Sequence, residues 1–296
     1  MPIPNNQLET WSHQGSITQS SATYASIKTA LSAPDSGFAN KDYEVFLQGS
    51  YGNDTNIYSE SDVDIVIRLD STFHHDLQEL PHDQVESFHS ALPNATYRYS
   101  EFKQAVEKTL TGYFGNDVKP GNKAIKILAS GNRRNADVIV ATQFRRYHRF
   151  ISTTDQAFDR GICFFKPDGT RIVNYPKYHS ENCTTKHQAT NNKFKPLVRI
   201  MKNMRKRLVD DGTIDKALAP SYFIEGLLYN APNDKFSSDY SESFIDCYNW
   251  ILQANRTKFV TPSRQHYLIG DFQVTWPAQN CDKFLAELKT LWNNWQ

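Results

Sequence analysis

Two aspartates, Asp62 and Asp64, stand two residues apart at the mouth of an apolar run, "SDVDIVIRL", which reads as a strand over residues 63–69. Alternate side chains of a strand share a face, so the two carboxylates project together. Held ~4 Å apart at an effective dielectric of about 20, such a pair repels by roughly 4 kcal/mol, a large share of a domain's net stability. A divalent cation with oxygen ligands offsets that most directly. The plainer alternative is that Asp62 caps a turn and Asp64 lies on the solvated face of a half-exposed strand. Upstream, Gly49-Ser50 comes directly after another apolar run. A glycine there lets the backbone approach a ligand, while the serine hydroxyl and adjacent amides offer donors to phosphate oxygens. A third acid, Asp137, opens the run "ADVIVA". If that run pairs beside the strand at 63–69, the three carboxylates converge as ligands for a pair of Mg²⁺ ions, which would activate an attacking hydroxyl and stabilise a leaving pyrophosphate. Otherwise Asp137 is an exposed strand-end acid.

The elements that must position these residues are legible from periodicity. Ile17, Tyr24, Ile27 and Leu31 recur at helical spacing, which predicts an amphipathic helix over residues 16–32, ended by Pro34. Strands are expected at 43–47 and 63–69, then a helical stretch at 101–110. A hairpin is predicted with arms at 123–129 and 136–141 about Ser-Gly-Asn-Arg-Arg, and a second at 161–173 about Pro167-Asp168-Gly169. From Phe194 the period changes: Phe194, Leu197, Val198, Met201 and Leu208 lie on one helical face, and further helices are expected at 221–229, 244–252 and 284–292. The strands therefore belong to an N-terminal part, residues 1–190, and the helices to a C-terminal part, residues 191–296. The polar stretch 178–192 reads as a loop between them, with His179, Lys186 and His187 where substrate could pass; His74-His75 reads as surface. No internal repeat or low-complexity segment is present.

Composition sets bounds. The chain has 296 residues, ample for a real core, with 13% aromatic and 22% charged residues. No stretch has the length and apolarity of a membrane span, and the start, MPIPNNQLETW, lacks the regions of a signal peptide, so a soluble cytoplasmic protein is expected. Cys163, Cys183, Cys247 and Cys281 are scattered, which predicts reduced, partly buried thiols rather than a zinc knuckle or disulfides. A net charge of +1 provides no global attraction to nucleic acid, although Arg145-Arg146 and the basic run at 199–207 remain local candidates for phosphate.

"GSYGNDTNIYSESDVDIVI", with the later "ADVIV", resembles the signature of the polymerase-β-like nucleotidyltransferases. More narrowly, with "FKPLVRIMKNMRKRL" and "APSYFIEGLLYN", it resembles the cyclic GMP-AMP synthase and DncV-like branch, bacterial cyclic-oligonucleotide synthases of anti-phage signalling. The resemblance runs from about residue 16 to the last helix. It implies an α+β fold: a mixed-sheet palm plus a C-terminal helical lobe, with the active site in the cleft. It implies Asp62, Asp64 and Asp137 as metal ligands for Mg²⁺ or Mn²⁺, and Gln48, Gly49 and Ser50 as nucleotide contacts. Lys202 would contact the triphosphate, Ser221 would bond a phosphate and Tyr222 would stack on the base. Read from spacing alone, Lys202 belongs to a solvated basic face with Arg199, Asn203 and Lys206, Ser221 is a helix-start residue and Tyr222 is core. The implied substrates are ATP and a second triphosphate, GTP or a pyrimidine triphosphate, closed into a cyclic di- or trinucleotide. A linear oligoadenylate synthase, an enzyme extending an RNA end, and a catalytically silent nucleotide-binding module are the alternatives. With no cysteine cluster for a zinc ribbon, no obligatory nucleic-acid activator is expected. Room remains for a regulatory protein partner, although attachment through a small C-terminal residue is not expected from Asn294-Trp295-Gln296.

Overall fold

The structure, a computed structural model, describes residues 1–15, 17–58, 62–272 and 274–295; Ser16, the first residue of the expected N-terminal helix, and the terminal Gln296 lie outside them. The chain forms two compact units, one of Thr18–Gln48 and Ser61–Pro176, the other of Met1–Ile17, Gly49–Glu60 and Lys177–Gln296. The Gly-Ser segment and the first helix thus pack with the C-terminal helices, a grouping by space rather than by chain order.

The first unit is built on a seven-stranded mixed sheet: β1 (Tyr43–Leu47), β2 (Val63–Asp76), β3 (Val118–Pro120), β4 (Ile125–Ile127), β5 (Ala136–Phe150), β6 (Gln156–Phe165) and β7 (Arg171–Asn174). The order is β1-β2-β5-β4-β3, with β6 on the distal part of β5 and β7 beside β6. β2 and β5 run parallel and every other pair is antiparallel. β2 is flanked on both edges, and Val63, Ile65, Val66 and Ile67 are fully buried, as a two-sided apolar strand requires. It outruns its expected end because a bulge between Leu69 and Phe73 absorbs residues 70–72 before pairing resumes with β5. His74 and His75 therefore lie half-buried in a strand instead of on the surface; His74 meets the Thr142 hydroxyl at 2.8 Å.

Both predicted hairpins are present. The Pro167-Asp168-Gly169 turn closes with Gly169 N–H donating to Lys166 O at 3.0 Å, and β4 pairs with β5 from Ile125↔Val138 to Ile127↔Ala136. Helices α2 (Thr18–Leu31), α4 (His82–Ala91) and α5 (Tyr99–Phe114) complete the unit. α2 buries Ile27 and Leu31 as predicted, whereas Ile17 is exposed. α4 was not legible: of its ten residues only Phe88 is buried.

The second unit comprises α1 (Asn5–Ser12), the single turn α3 (Gly49–Gly52), α6 (Pro176–Ala189), α7 (Phe194–Asp210), α8 (Ser221–Asn230), α9 (Tyr240–Gln253) and α10 (Ala278–Asn293). The stretch read as a loop is α6. Its sequence carries little apolar material, and only His179 and Cys183, one turn apart, are buried. α7 lies at the centre. Its predicted stripe of Phe194, Leu197, Val198, Met201 and Leu208 is buried, and so are Lys195, Arg199, Lys202 and Arg205 on the face expected to be solvated. All four cysteines are free and buried, as expected.

Candidate active site

Asp64 and Asp137 are direct register partners in the parallel pair β2·β5, so their side chains leave the same face of adjacent strands. Asp62 lies two residues before Asp64 on that face. Burial pushes the Asp137 carboxyl above its ordinary range, the Asp62 charge pushes it further, and the Lys126 ammonium opposes both. The sheet therefore brings together the three acids that the sequence singled out. It adds Lys126, which the sequence reading missed. Lys126 faces Asp137 across β4·β5 and lies 3.7 Å from an Asp62 oxygen. The signal was the alternation Ile-Lys-Ile: with Ile125 and Ile127 buried, Lys126 must turn to the acid face. Oxygen donors of like charge, half-buried and gathered on one face of a sheet, have the chemistry of a hard divalent-cation site. On the neighbouring strand end, Gln48 N–H donates to Asp64 O at 3.0 Å, which holds the backbone entering the Gly-Ser turn.

In the second unit Gly49 has φ 63°, a left-handed conformation that admits glycine at little cost and sends the chain sharply into α3. Asn53 N–H then donates to Gly49 O at 3.0 Å, and Thr55 N–H to Ser50 O at 2.9 Å. The cations of α7 grip the backbone just beyond this turn, at Asp54 and Thr55. Lys195 Nζ donates to Asp54 Oδ2 at 2.9 Å, Arg199 Nη1 to Asp54 O at 2.6 Å, and Lys202 Nζ to Thr55 O at 2.8 Å. Lys202 is fully buried, which corrects the solvated-face reading; the basic run holds this chain's own backbone. Only further along are the cations exposed, Lys206 and Arg207 pairing one turn on with Asp210 and Asp211.

Ser221 opens α8, and its hydroxyl accepts from Arg205 Nη1 at 3.2 Å. Tyr222 is held from two sides: its hydroxyl bonds the Thr261 and Ser263 side chains, and its ring lies 5.0 Å from that of His179 at 31°. Burial raises its phenol above the ordinary range. Gly226 makes the close approach of residues 259–276 feasible, because a Cβ there would stand 2.4 Å from Leu268 Cδ1. Between these residues sits a group that the sequence reading passed over, Glu225, with a side chain only 3% exposed. It accepts from Asn53 Nδ2 at 3.0 Å, Thr55 Oγ1 at 2.5 Å and His179 Nε2 at 2.7 Å. Burial alone would raise its pKa; the His179 contact, the Lys202 charge and the Thr55 hydroxyl outweigh that and hold the carboxyl at about 2.

His179, Cys183 and Glu225 each offer a ligand atom within 4.8 Å of the others, so the cluster has the dimensions of a metal site. Its chemistry fits one poorly. The carboxylate already accepts three protein donors, and burial, then the Glu225 charge, push the Cys183 thiol well up, away from the thiolate that binds metal. The remaining polar residues of α6 have local tasks. Lys186 donates to Ala231 O, and His187, pushed down to about 4 by burial and by Lys195 and Arg199, lies beside the Lys195 amide.

These two groups of residues, an acid triad on a mixed sheet and a Gly-Ser turn with a Ser-Tyr helix start, are the ones singled out by the sequence resemblance to nucleotidyltransferases. Similarity to known proteins agrees. Residues 181–293 match the cGAS/DncV-like nucleotidyltransferase C-terminal helical domain, and residues 8–120 match the Second Messenger Oligonucleotide or Dinucleotide Synthetase domain. The chain is 38% identical over 297 residues to a cyclic UMP-AMP synthase of Rhodothermus marinus, covering 100% of this chain and 99% of that protein. It is 37% identical over 302 residues to the cyclic nucleotide synthase CdnE01 of Staphylococcus haemolyticus, with 100% of both covered. The solved structure of the R. marinus c-UMP-AMP synthase with Apcpp and Upnpp superposes with a TM-score of 0.90 at 38% identity, covering 99% of this chain and 98% of that one. The chain belongs to the cGAS/DncV-like nucleotidyltransferases. It is an enzyme of the cyclic-nucleotide synthase class, with the expected α+β architecture and C-terminal helical domain. Among the described residues no helix is long and apolar enough to cross a membrane.

Proposed function

We propose that this enzyme joins ATP and a second nucleoside triphosphate into a cyclic dinucleotide messenger of anti-phage signalling, with Asp62, Asp64 and Asp137 holding a pair of Mg²⁺ or Mn²⁺ ions. The observation that carries the reading is the register of Asp64 on Asp137, with Asp62 two residues upstream, in a chain whose full length matches cyclic nucleotide synthases. When bound, the divalent ions lower the pKa of an attacking hydroxyl and neutralise charge on the leaving oxygens. In each round a ribose hydroxyl oxygen forms a bond to the α-phosphorus, the bond from that phosphorus to the bridging oxygen breaks, and pyrophosphate leaves with the electron pair. Asp137 takes the hydroxyl proton. A second round closes the ring. Gly49 and Ser50 contact the nucleotide through backbone donors and the serine hydroxyl, Gln48 through its side-chain amide, Ser221 bonds a phosphate, and Tyr222, oriented by His179, Thr261 and Ser263, stacks on a base. Lys202 acts on the triphosphate by its charge and by fixing the Thr55 carbonyl.

The test is to incubate the purified protein with Mg²⁺ or Mn²⁺, ATP and each second triphosphate in turn, without nucleic acid, and to identify products by mass spectrometry after phosphatase treatment. A phosphatase-resistant dinucleotide is expected, since a ring has no terminal phosphate. A phosphatase-sensitive oligoadenylate, or product made only on added RNA and attached to it, would overturn the reading.

A further inference from the structure

We infer that Glu225 is a positioning residue for the nucleotide site, its carboxylate anchoring the segment that carries Gly49 and Ser50 to the start of the helix that carries Ser221 and Tyr222. The inference deepens the proposed function and rests on its reading of those four residues as nucleotide contacts. Each connection is short. Asn53 and Thr55 donate to Glu225 through their side chains and, through their main-chain N–H groups, to Gly49 O and Ser50 O. From the carboxylate to the Gly-Ser turn there are thus two routes of two hydrogen bonds each. On the other side Glu225 lies one helical turn beyond Ser221, so α8 itself transmits its position. The third donor, His179, packs its ring on Tyr222, which ties the orientation of that ring to the same carboxylate.

A segment needing only to be buried would be held more simply by apolar contacts, because an unpaired carboxylate in the interior is costly. Hydrogen bonds converging on one buried anion instead set direction and distance, and Lys202 reinforces them by holding the Thr55 carbonyl. The predicted consequence is specific to substrate binding: loosening the anchor leaves the acid triad untouched and displaces the Gly-Ser donors from the phosphates.

The test uses the full-length protein as Thr55→Val, which keeps the shape and removes the donated proton, Thr55→Ser, which keeps the donor, and Glu225→Gln, whose single side-chain oxygen can serve only part of the donor set. Binding of a non-hydrolysable ATP analogue with Mg²⁺ is measured by calorimetry well below each variant's melting temperature, and kcat and KM are measured with ATP. Thr55→Val is expected to weaken analogue binding and raise KM about tenfold with a smaller change in kcat, as loss of uniform binding requires. Thr55→Ser should return both to within about twofold, the donor being restored. If Glu225→Gln does not fold, the Thr55 pair still decides. Thr55→Val with wild-type affinity and KM, whatever its melting temperature, would overturn the anchoring role alone. Wild-type protein that binds no triphosphate would overturn the nucleotide-site reading and the anchor with it.

Discussion

The sheet unit gathers three acids and the helical unit buries one, and they treat them in opposite ways. On the sheet, Asp62, Asp64 and Asp137 are half-buried, crowd one another, and have Lys126 as a nearby cation. In the helical unit, Glu225 is buried among three donors with the Lys202 charge close by, and its pKa falls to about 2. The first arrangement carries repulsion that an external cation would relieve; the second is already neutralised by the chain. The lesson is that a carboxylate's role depends on who supplies its counter-charge. Where the protein does so fully, the acid holds structure, and where it does so only in part, the acid is available to bind.

Substitutions that remove charge should separate the two regions most sharply in activity. Asp64→Asn and Asp137→Asn are expected to reduce cyclic product to background while leaving the melting temperature of the metal-free protein unchanged or higher. An Asp137→Asn enzyme with wild-type turnover would remove that residue from the site. Glu225→Leu should do the reverse kind of damage. By leaving buried donors and the Lys202 charge uncompensated it should cost roughly 3–5 kcal/mol in urea denaturation, and a loss below about 1 kcal/mol would contradict the hub.

Acid titration sharpens the contrast, because the two pKa shifts have opposite signs. Glu225 is lowered from 4.5 to about 2, so its contribution to stability is present above the ordinary carboxylate range and is lost as pH falls from about 4.5 toward 2. Asp137 is raised, so the folded state prefers its proton, and ionisation removes stability as pH rises through the raised value. Metal-free Asp137→Asn should therefore be at least as stable as wild type at neutral pH, with the difference closing in acid. Denaturant midpoints with chelator across that range would check it, and a gain that persisted in acid would count against the assignment. The smallest effect is expected at Lys206, whose exposed pair with Asp210 should be worth less than about 0.5 kcal/mol when Lys206 becomes Ala. An effect of Lys206→Ala on triphosphate affinity equal to that of Lys202→Ala would remove the distinction drawn between the buried and exposed cations of α7.

Much of this was readable in one dimension. The apolar runs at 63–69 and 136–141, the Pro167-Asp168-Gly169 turn and the period of α7 come from local rules, and so does the shared face of Asp62 and Asp64. Two readings failed for the same reason. α6 was taken for a loop and the α7 cations for a solvated face because polar side chains are assigned to water by default, and nothing local shows that a partner is waiting. His179 meets Glu225 across 46 residues, and Lys202 meets the Thr55 carbonyl across 147.

What the amino-acid sequence determined by itself was the set of chemical groups and the local geometry that points them: a D-x-D strand, a glycine before a serine, a Ser-Tyr pair at a helix start. What only the tertiary structure decided was their counter-charges and their register. The placement of Asp137 beside Asp64 depends on a parallel pairing that crosses 73 residues, and parallel strands have no short turn to announce their partner. The burial of Glu225 and Lys202 depends on donors and acceptors brought from distant segments. A charge can leave water only when those arrive together, and no stretch of sequence long enough to form one element contains them all.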